Sequence, residues 1–463
     1  MKLGRWKLLL PLALFAVAAT VAASGALAKS AQGTAVKIAI MTDCKGGFGF
    51  GYELDIGGAQ AALGQFAGGK PKSKKKPSAG MTGIQVGSTP VNIVGYGCGD
   101  DTAATGLKET RRLMQQLGAD VMLGPLSGDE AVAIAQWARA NPTKTIIIGT
   151  AGSQQPTMQI APKNVFRYHG DGAQWNAGIG EIAYKKLGWR NAAIIMDDYA
   201  FGWTSGAGMI ADFCAIGGKI TKRVFPPLNN ADYAAFVRQL PPPDKIDGYF
   251  WAIGGNTPGS LTAFEQAYGT PNPKQFVGNL FFGFLGNDKV VAPKFVGSYI
   301  GGTGTAPGIN KPQMVAYRAI MKKYYPALPA DDLFVSNYFQ AAKALVEGLA
   351  KSKGAVGVRL QASLPRAFRG PFQVSNSGFI HLDSRRQAIQ DQYQLQLVKK
   401  ADGSVGPNAV AYVPNVDQSF GGLFKPSSPP PGRTQPACKK LKTPWQGKIK
   451  VVKNGKITSA TIK

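Results

Sequence analysis

Short apolar runs alternate with stretches of helical periodicity along most of the chain. The runs predict strands at Val36–Met41, Val91–Tyr96, Asp120–Leu123, Thr145–Ile148, Ala192–Met196, Gly248–Ile253 and Gln275–Val277. The stretches between them predict helices at Ala103–Leu117, Asp129–Ala140, Gln174–Leu187, Ser205–Ile216, Tyr233–Leu240 and Ser260–Tyr268. Gly118 and Gly188 follow two of these helices, where a left-handed cap residue is favoured. Strands alternating with helices predict an α/β fold whose parallel sheets are covered on both faces.

The strand–helix alternation occurs twice, over residues 36–160 and again over 164–300. Helices are expected at about 312–325 and 332–350, and residues 370–398 predict strands in a hairpin-like closing segment. Two doubly wound parallel-sheet lobes would face each other across a cleft, with ligand-binding loops at the carboxyl ends of their strands.

The first 28 residues predict a signal peptide. Basic residues precede the apolar run Leu8–Ala23, and Ala26-Leu27-Ala28 supplies the small residues that signal peptidase requires. A single membrane anchor is the alternative, because the run is near the length that spans a bilayer, but Pro11 and the Ala-x-Ala ending favour cleavage. We therefore expect an exported protein in the periplasm or at the cell exterior.

The chain is strongly basic, with a formal charge of +27. Such a balance raises the question of nucleic acid, but the basic residues are scattered and an exported protein rarely meets nucleic acid, so we expect no nucleic-acid partner. The clear clusters are residues 70–77, expected to be a solvated loop, and 438–463, expected to be a basic tail. An anionic envelope surface is a candidate electrostatic partner for both.

Four cysteines in an exported chain favour disulfides over metal binding. Cys44 and Cys98 each follow an apolar run, and if those runs are neighbouring parallel strands, their ends are close enough to bridge. Cys214 and Cys438 would then remain. The chain has no Cys-x-x-Cys and only two histidines, so we expect neither a zinc site nor any other metal or cofactor.

Four segments in series resemble one family. They are "VKIAIMTDCKGGFGFGYELDIGGAQAAL", "GADVMLGPLSGDEAVAIAQWA", the stretch from "IIIGTAGSQQPT" to "AAIIMDDYAFGWT", and "DGYFWAIGGNTPGSLTAFEQA". Over residues 36–400 the chain looks like a type I periplasmic solute-binding protein, of the branch similar to leucine/isoleucine/valine- and amide-binding proteins of ABC importers. The resemblance implies two α/β lobes, joined by a hinge and crossed three times by the chain, that close on a small ligand.

The chain order that this resemblance implies divides the sequence into six parts, in which the first lobe is interrupted by the second. They are the signal peptide (1–28), lobe 1 (29–162), lobe 2 (163–300), a return to lobe 1 (301–365), a closing segment of lobe 2 (366–400) and a basic Pro- and Gly-rich tail (401–463).

The corner "GPLSGDE" between a predicted strand and helix has two interpretations. Ser127 and Glu130 have the spacing of a capping box, in which each side chain satisfies a backbone amide of the other residue. A helix N-terminus also offers free N–H groups and partial positive charge to a carboxylate. The resemblance implies that this corner contacts the ligand through Ser127 and Gly128.

The resemblance suggests further ligand contacts on other loops. Ala151 and Ser153 match an Ala-x-Ser/Thr whose amide and hydroxyl bind the ligand carboxylate in the family, although a plain turn is the alternative. Phe201 stands where the family usually has tyrosine, and Asn256 stands where it has an aromatic residue.

The main departure from the family is Leu280, aligned with a glutamate that pairs with a ligand ammonium. A buried ammonium without a partner costs several kcal/mol, so either another carboxylate replaces the glutamate or the ligand is not an ordinary α-amino acid. The candidate carboxylates are Asp129, Glu53, Asp197 and Asp198. Aromatic residues on the loops at strand ends favour an apolar or aromatic ligand. These residues are Phe48, Phe50, Trp203, Phe281, Phe282 and Phe284.

The glycine-rich stretch 44–53 is expected to form the first loop, a flexible cleft wall that includes the candidates Phe50 and Tyr52. Its spacing does not fit the dinucleotide-binding Gly-x-Gly-x-x-Gly pattern.

The expected function is therefore capture of a small amino-acid-like, amide or aromatic molecule for an ABC permease, by a monomer. A receptor ectodomain of the same fold is the alternative, but it needs a further membrane span or a signalling partner. The sequence shows no pairing of a nucleophile with a base that would indicate an enzyme. A sugar-responsive repressor would need a DNA-binding element where the export signal stands.

Overall fold

The computed structural model describes residues 35–228, 230–302, 306–367, 380–441 and 449–462. The predicted signal peptide lies outside the described residues. The strands are β1 (Val36–Asp43), β2 (Lys70–Pro71), β3 (Met81–Thr82), β4 (Gln85–Val86), β5 (Thr89–Gly99), β6 (Val121–Leu123), β7 (Thr145–Ile148), β8 (Val165–Arg167), β9 (Asn191–Met196), β10 (Lys219–Val224), β11 (Gly248–Ala252), β12 (Phe276–Gly278), β13 (Tyr299–Ile300), β14 (His381–Leu382), β15 (Ala388–Lys399), β16 (Val405–Val416), β17 (Lys450–Lys453) and β18 (Lys456–Thr461).

The α-helices alternate with the strands through the first 270 residues or so, as the periodicity predicts. They are α1 (Tyr52–Ala67), α2 (Ala103–Arg111), α3 (Gly128–Ala140), α4 (Gly172–Trp175), α5 (Ile179–Glu181), α6 (Ala200–Ala215), α7 (Ala234–Val237), α8 (Thr257–Tyr268), α9 (Pro312–Tyr324), α10 (Leu333–Ser352) and α11 (Val358–Ser363).

The first lobe is built on a six-stranded sheet in the order β4-β5-β1-β6-β7-β8. Its strands are parallel except for β4. The later helices α9 and α10 pack beside α1, where Tyr317, Tyr338 and Phe339 join the same buried core as Ile38 and Ile40. The chain thus returns to this lobe after building part of the second.

The second lobe is built on a larger sheet in the order β10-β9-β11-β12-β13-β15-β16-β17-β18. The strands from β10 to β13 are parallel, and from β15 onward each strand is antiparallel to its neighbour. Both faces of β9 and β11 are buried, which explains why their sequences read as continuous apolar runs.

The expectation of an extended tail over 401–463 is wrong for much of that segment. Val405–Val416 alternates buried and exposed residues and pairs with β15, and a further hairpin extends the sheet. Phe420 and Phe424 are buried in the core of the second lobe. The sequence did not predict this strand because the segment is rich in proline and lysine and because Pro407 and Pro414 interrupt its period-two pattern.

Two other local predictions are corrected. The chain forms a short 3-10 turn at Gly49–Gly51 and then enters α1, so Tyr52 opens a helix rather than lying in a loop. The single helix predicted over Gln174–Leu187 is broken into α4, α5 and a π-helical segment, because Gly178 adopts a left-handed conformation with φ 87°.

Both disulfides join elements that the fold has already brought together. Cys44 bridges to Cys98, confirming that the first and second apolar runs are neighbouring parallel strands. Cys214, in α6, bridges to Cys438 beyond β16. Within the described ranges, no helix combines the length and apolar character needed to cross a bilayer.

Buried polar side chains form a hydrogen-bonded cluster where the chain passes between the lobes. Gln387 donates to Gln174 Oε1 at 2.9 Å, and Thr157 donates to Gln387 Oε1 at 2.9 Å. Arg167, which is fully buried, donates to Ser153 O at 2.6 Å. Gln418 beyond β16 enters the same cluster. The hinge region is therefore hydrogen-bonded rather than apolar.

Candidate ligand-binding cleft

A small, partly open cavity lies between the lobes, at the carboxyl ends of their parallel strands. Its lining residues from the first lobe are Phe48, Leu126, Ser127, Gly128, Thr150, Gly152, Leu333 and Phe334, and those from the second are Trp175, Tyr199, Phe201, Leu280 and Phe281. None of these side chains carries a charge. The cavity is accordingly suited to an apolar body with few hydrogen-bonding groups.

Aromatic rings from the two lobes meet across this cavity. Phe48, after β1, stacks on Phe281, after β12, with ring centroids 5.3 Å apart. Phe281 in turn lies 5.7 Å from Phe201 in the first turn of α6, and Phe201 lies 5.9 Å from Trp175. These offset and edge contacts are favourable arrangements for aromatic pairs, and a flat ring would find similar contacts among them.

Ser127 supplies a polar group at the edge of this aromatic cluster. It occupies the N-cap of α3 with φ −82° and ψ 148°, but its side chain makes no capping hydrogen bond. The predicted capping box is therefore wrong: Glu130 turns away and accepts from Asp100 N at 3.3 Å. The Ser127 hydroxyl is 1% exposed and has no hydrogen-bond partner within 3.5 Å. It stands beside the unpaired amides of the helix N-terminus.

Three carboxyl groups are buried behind Ser127, on Asp43, Asp101 and Glu130. Burial raises the pKa of Glu130 to about 8 and, with the neighbouring Glu130 and Asp101 carboxyls, raises the pKa of Asp43 well above its usual range. Burial also raises the pKa of Asp101, although hydrogen bonding with the Asp43 carboxyl and the Phe48 amide opposes this rise. A pKa of about 8 keeps the Glu130 carboxyl mostly protonated near neutral pH, so this group presents less negative charge toward the cavity than three carboxylates would.

The lobes touch directly where α3 and α6 begin. Asp129 accepts from Ala200 N at 2.9 Å, which joins the first turn of one helix to that of the other. A side-chain carbon on Gly128 would lie 2.8 Å from Phe201 N, so only glycine allows this approach. The cleft is closed in this structure.

The comparisons with known proteins agree with this architecture. A family model described as periplasmic binding protein matches residues 35–402. The chain belongs to the periplasmic binding protein family. Members of this family are exported, bind small molecules and work with a permease, and they are typically not enzymes. No curated protein matches the sequence.

Solved structures share the fold of this periplasmic binding protein at low sequence identity. An ABC transporter substrate-binding protein from Sphaerobacter thermophilus is 20% identical with a TM-score of 0.68, over 83% of this chain and 99% of that one. A solute-binding protein from R. palustris in complex with benzoate is 20% identical with a TM-score of 0.66, over 86% and 100%. A leucine-binding protein from Thermotoga maritima is 18% identical with a TM-score of 0.63, over 81% and 98%.

The structure of this periplasmic binding protein brings six of the residues singled out from the sequence into the cavity, namely Phe48, Ser127, Gly128, Phe201, Leu280 and Phe281. Ala151 and Ser153 do not line it. Ser153 donates to Gly128 O at 2.9 Å and Ala151 N donates to Pro125 O at 3.3 Å. Their neighbours Thr150 and Gly152 face the cavity instead.

The other candidates lie outside the cavity. Phe50 is 52% exposed and its ring contacts Phe334 with centroids 5.3 Å apart. Tyr52 packs against the core of the first lobe. Asn256 caps α8 by accepting from Gly259 N at 3.0 Å. Phe50 thus borders the aromatic cluster, whereas Tyr52 and Asn256 have structural contacts.

Sequence reasoning missed several lining residues, namely Leu126, Thr150, Gly152, Trp175, Tyr199, Leu333 and Phe334. Tyr199 could have been predicted from the sequence, because it lies between the end of β9 and the start of α6. Leu333 and Phe334 could not, because their position depends on the return of α10 to the first lobe.

Proposed function

We propose that this protein is the extracytoplasmic solute-binding component of an ABC importer and that it captures a small aromatic carboxylic acid by lobe closure. The supporting observation is the ring-lined cavity, without charged lining residues, that has the N-terminus of α3 at one edge. The carboxylate would accept hydrogen bonds from the Ser127 hydroxyl and the first α3 amides, where the helix dipole also favours negative charge. The ring would lie among Phe48, Phe201 and Phe281.

An α-amino acid fits this cavity less well because no acidic residue in the described part of the chain lines it to pair with an ammonium. Each candidate replacement for the family glutamate is engaged elsewhere. Asp129 accepts from Ala200 N, Glu53 accepts from Ser78, Asp197 accepts from two glycine amides, and Asp198 pairs with Arg433. Among the described residues, none of these four acids lines the cavity. A buried, unpaired ammonium costs several kcal/mol.

The solved structures offer support of a weaker kind. Besides the R. palustris protein bound to benzoate, a solute-binding protein from Rhodopseudomonas palustris BisB5 was solved with 3,4-dihydroxy benzoic acid. The Thermotoga maritima structure is of a leucine-binding protein. Both ligand types therefore occur on this fold, and the apolar lining together with Leu280 favours the aromatic acid here.

Calorimetric titration and thermal unfolding with benzoate, hydroxybenzoates, benzamide and leucine test the proposal. A ligand at about 100 times its Kd should stabilise the protein by about 2.7 kcal/mol. We expect an aromatic acid to bind and leucine to bind more weakly. Ser127→Ala should weaken binding of the acid roughly tenfold or more, because hydrogen bonds to a charged group contribute about 1.5–3 kcal/mol.

Ser153→Ala serves as the control, because Ser153 is buried nearby but its hydroxyl donates to Gly128 O. It should reduce stability more than it changes affinity. Binding of leucine but of no aromatic acid would overturn the proposed ligand class, and binding of none of these compounds would overturn the proposal as a whole.

A further inference from the structure

We propose that the Tyr199 hydroxyl recognises a second polar group of the ligand, so that the preferred ligand is an aromatic acid with a hydrogen-bonding substituent on its ring. This inference rests on the proposed function and narrows its substrate class. Tyr199 belongs to the second lobe, opposite Ser127 of the first, and the two hydroxyls would bind the two polar ends of one molecule.

The cavity contains three hydroxyl-bearing side chains, and two of them lack partners. Thr150 donates to Asp55 Oδ1 at 3.4 Å. The hydroxyls of Ser127 and Tyr199 are both buried without a hydrogen-bond partner, at 1% and 3% residue exposure. Leaving a buried hydroxyl unpaired is costly, so each is a position where a ligand atom would recover a lost hydrogen bond.

The surroundings of Tyr199 hold its ring in place. Its centroid lies 6.0 Å from Phe48 of the other lobe and 5.9 Å from Phe201. Its backbone is extended, with φ −157° and ψ 172°, and Tyr199 N donates to Asp197 O at 2.9 Å. A ring fixed on two sides fixes the position of its hydroxyl, which is what discrimination between ligands requires.

The Tyr199 hydroxyl remains protonated in this environment. Burial raises its pKa well above the usual range, and the carboxyls of Asp197 and Asp101 raise it further. A neutral phenol both donates and accepts one hydrogen bond. It therefore suits a hydroxyl or carbonyl substituent on the ligand ring.

The test compares ring-substituted acids on two proteins. We would measure Kd by calorimetry for benzoate and for 3-hydroxy-, 4-hydroxy- and 3,4-dihydroxybenzoate, on the unmodified protein and on Tyr199→Phe. The unmodified protein should bind at least one hydroxylated acid roughly tenfold more tightly than benzoate. Tyr199→Phe should abolish that preference while changing benzoate affinity less than about threefold.

Tyr233→Phe is the matched control, because Tyr233 is also a buried tyrosine of the second lobe but packs in its core and does not line the cavity. It should leave every Kd unchanged. Equal weakening of all four acids by Tyr199→Phe would mean that the residue only supports the fold of the site, and would overturn the inference.

Tighter binding of benzoate than of every hydroxylated acid would also overturn the role of Tyr199 while leaving the proposed function intact. If no aromatic acid binds, the proposed function and this inference fail together.

Discussion

Replacing Gly128 with alanine should prevent the lobes from closing while sparing the fold of each. The added Cβ would lie 2.8 Å from Phe201 N and 3.0 Å from Phe201 Cβ in the opposite lobe. Non-bonded carbon contacts are optimal at about 3.5–4.0 Å, so the contact is too short by more than about half an ångström. Phe201 N belongs to the backbone of α6, so no side-chain rotation relieves the clash.

The cost falls on the closed state alone. Overpacking of this kind costs about 1–3 kcal/mol, which corresponds to about 5- to 150-fold weaker ligand binding. Gly128 lies at the start of α3 without a left-handed conformation, so alanine is compatible with the helix and does not destabilise the open protein. The effect should therefore appear in affinity rather than in unfolding.

Calorimetry with an aromatic acid, together with thermal unfolding of the ligand-free protein, measures both quantities. Gly283→Ala is the control, because its added Cβ would meet nothing closer than Pro407 Cγ at 3.8 Å. Unchanged affinity in Gly128→Ala would refute the reasoning, since the ligand would then bind without the contact between α3 and α6. A large loss of melting temperature without ligand would also contradict it.

Three further perturbations have calculable outcomes. Burial, with the nearby Glu181 carboxylate, raises the pKa of Asp212 to about 8. Between about pH 4 and pH 8 the native protein therefore keeps a proton that the unfolded chain releases. The free energy of unfolding consequently falls as the pH rises through this range. In urea titrations the free energy of unfolding of Asp212→Asn should therefore rise relative to that of the unmodified protein between pH 5 and pH 8, by at most about 4 kcal/mol. A difference in free energy of unfolding that stays constant with pH would contradict this. Asp129→Ala removes the acceptor for Ala200 N and should weaken ligand binding roughly tenfold by calorimetry, whereas unchanged affinity would show that this contact does not assist closure. Replacing Cys214 and Cys438 together with serine opens a loop of sequence separation 224 and should lower the free energy of unfolding in urea by up to about 5 kcal/mol, so an unchanged urea midpoint would exclude a stabilising role.

Seven strands of the two sheets could be predicted because each is a short apolar run bounded by helical stretches. Thr145–Ile148 has the predicted bounds, and Val36–Asp43 extends the predicted run by two residues. The strand Val405–Val416 was missed because prolines interrupt its alternation. Its place in the sheet is decided by pairing with β15, which is a tertiary contact.

The site was only partly predictable for a related reason. Ser127 and Phe201 follow strand ends, and the carboxyl ends of parallel strands meet at one edge of a sheet. Thr150 and Gly152 lie in a segment without regular structure, where nothing in the sequence fixes which residue faces the cavity. Phe334 arrives from a helix far along the chain, and only the three-dimensional path places it there.

The residues after 402 lie beyond the matched family region, yet removing them would cut through a sheet rather than trim an appendage. Without β16 the long strand β15 would lose the neighbour with which it pairs over most of its length, and Phe420 and Phe424 would leave the core of the second lobe. Gln418 would also withdraw its hydrogen bonds from Thr157 and Asp383 at the hinge. A shortened form chosen to resemble other family members should therefore aggregate, because the second lobe is completed only by residues near the C-terminal end of the sequence.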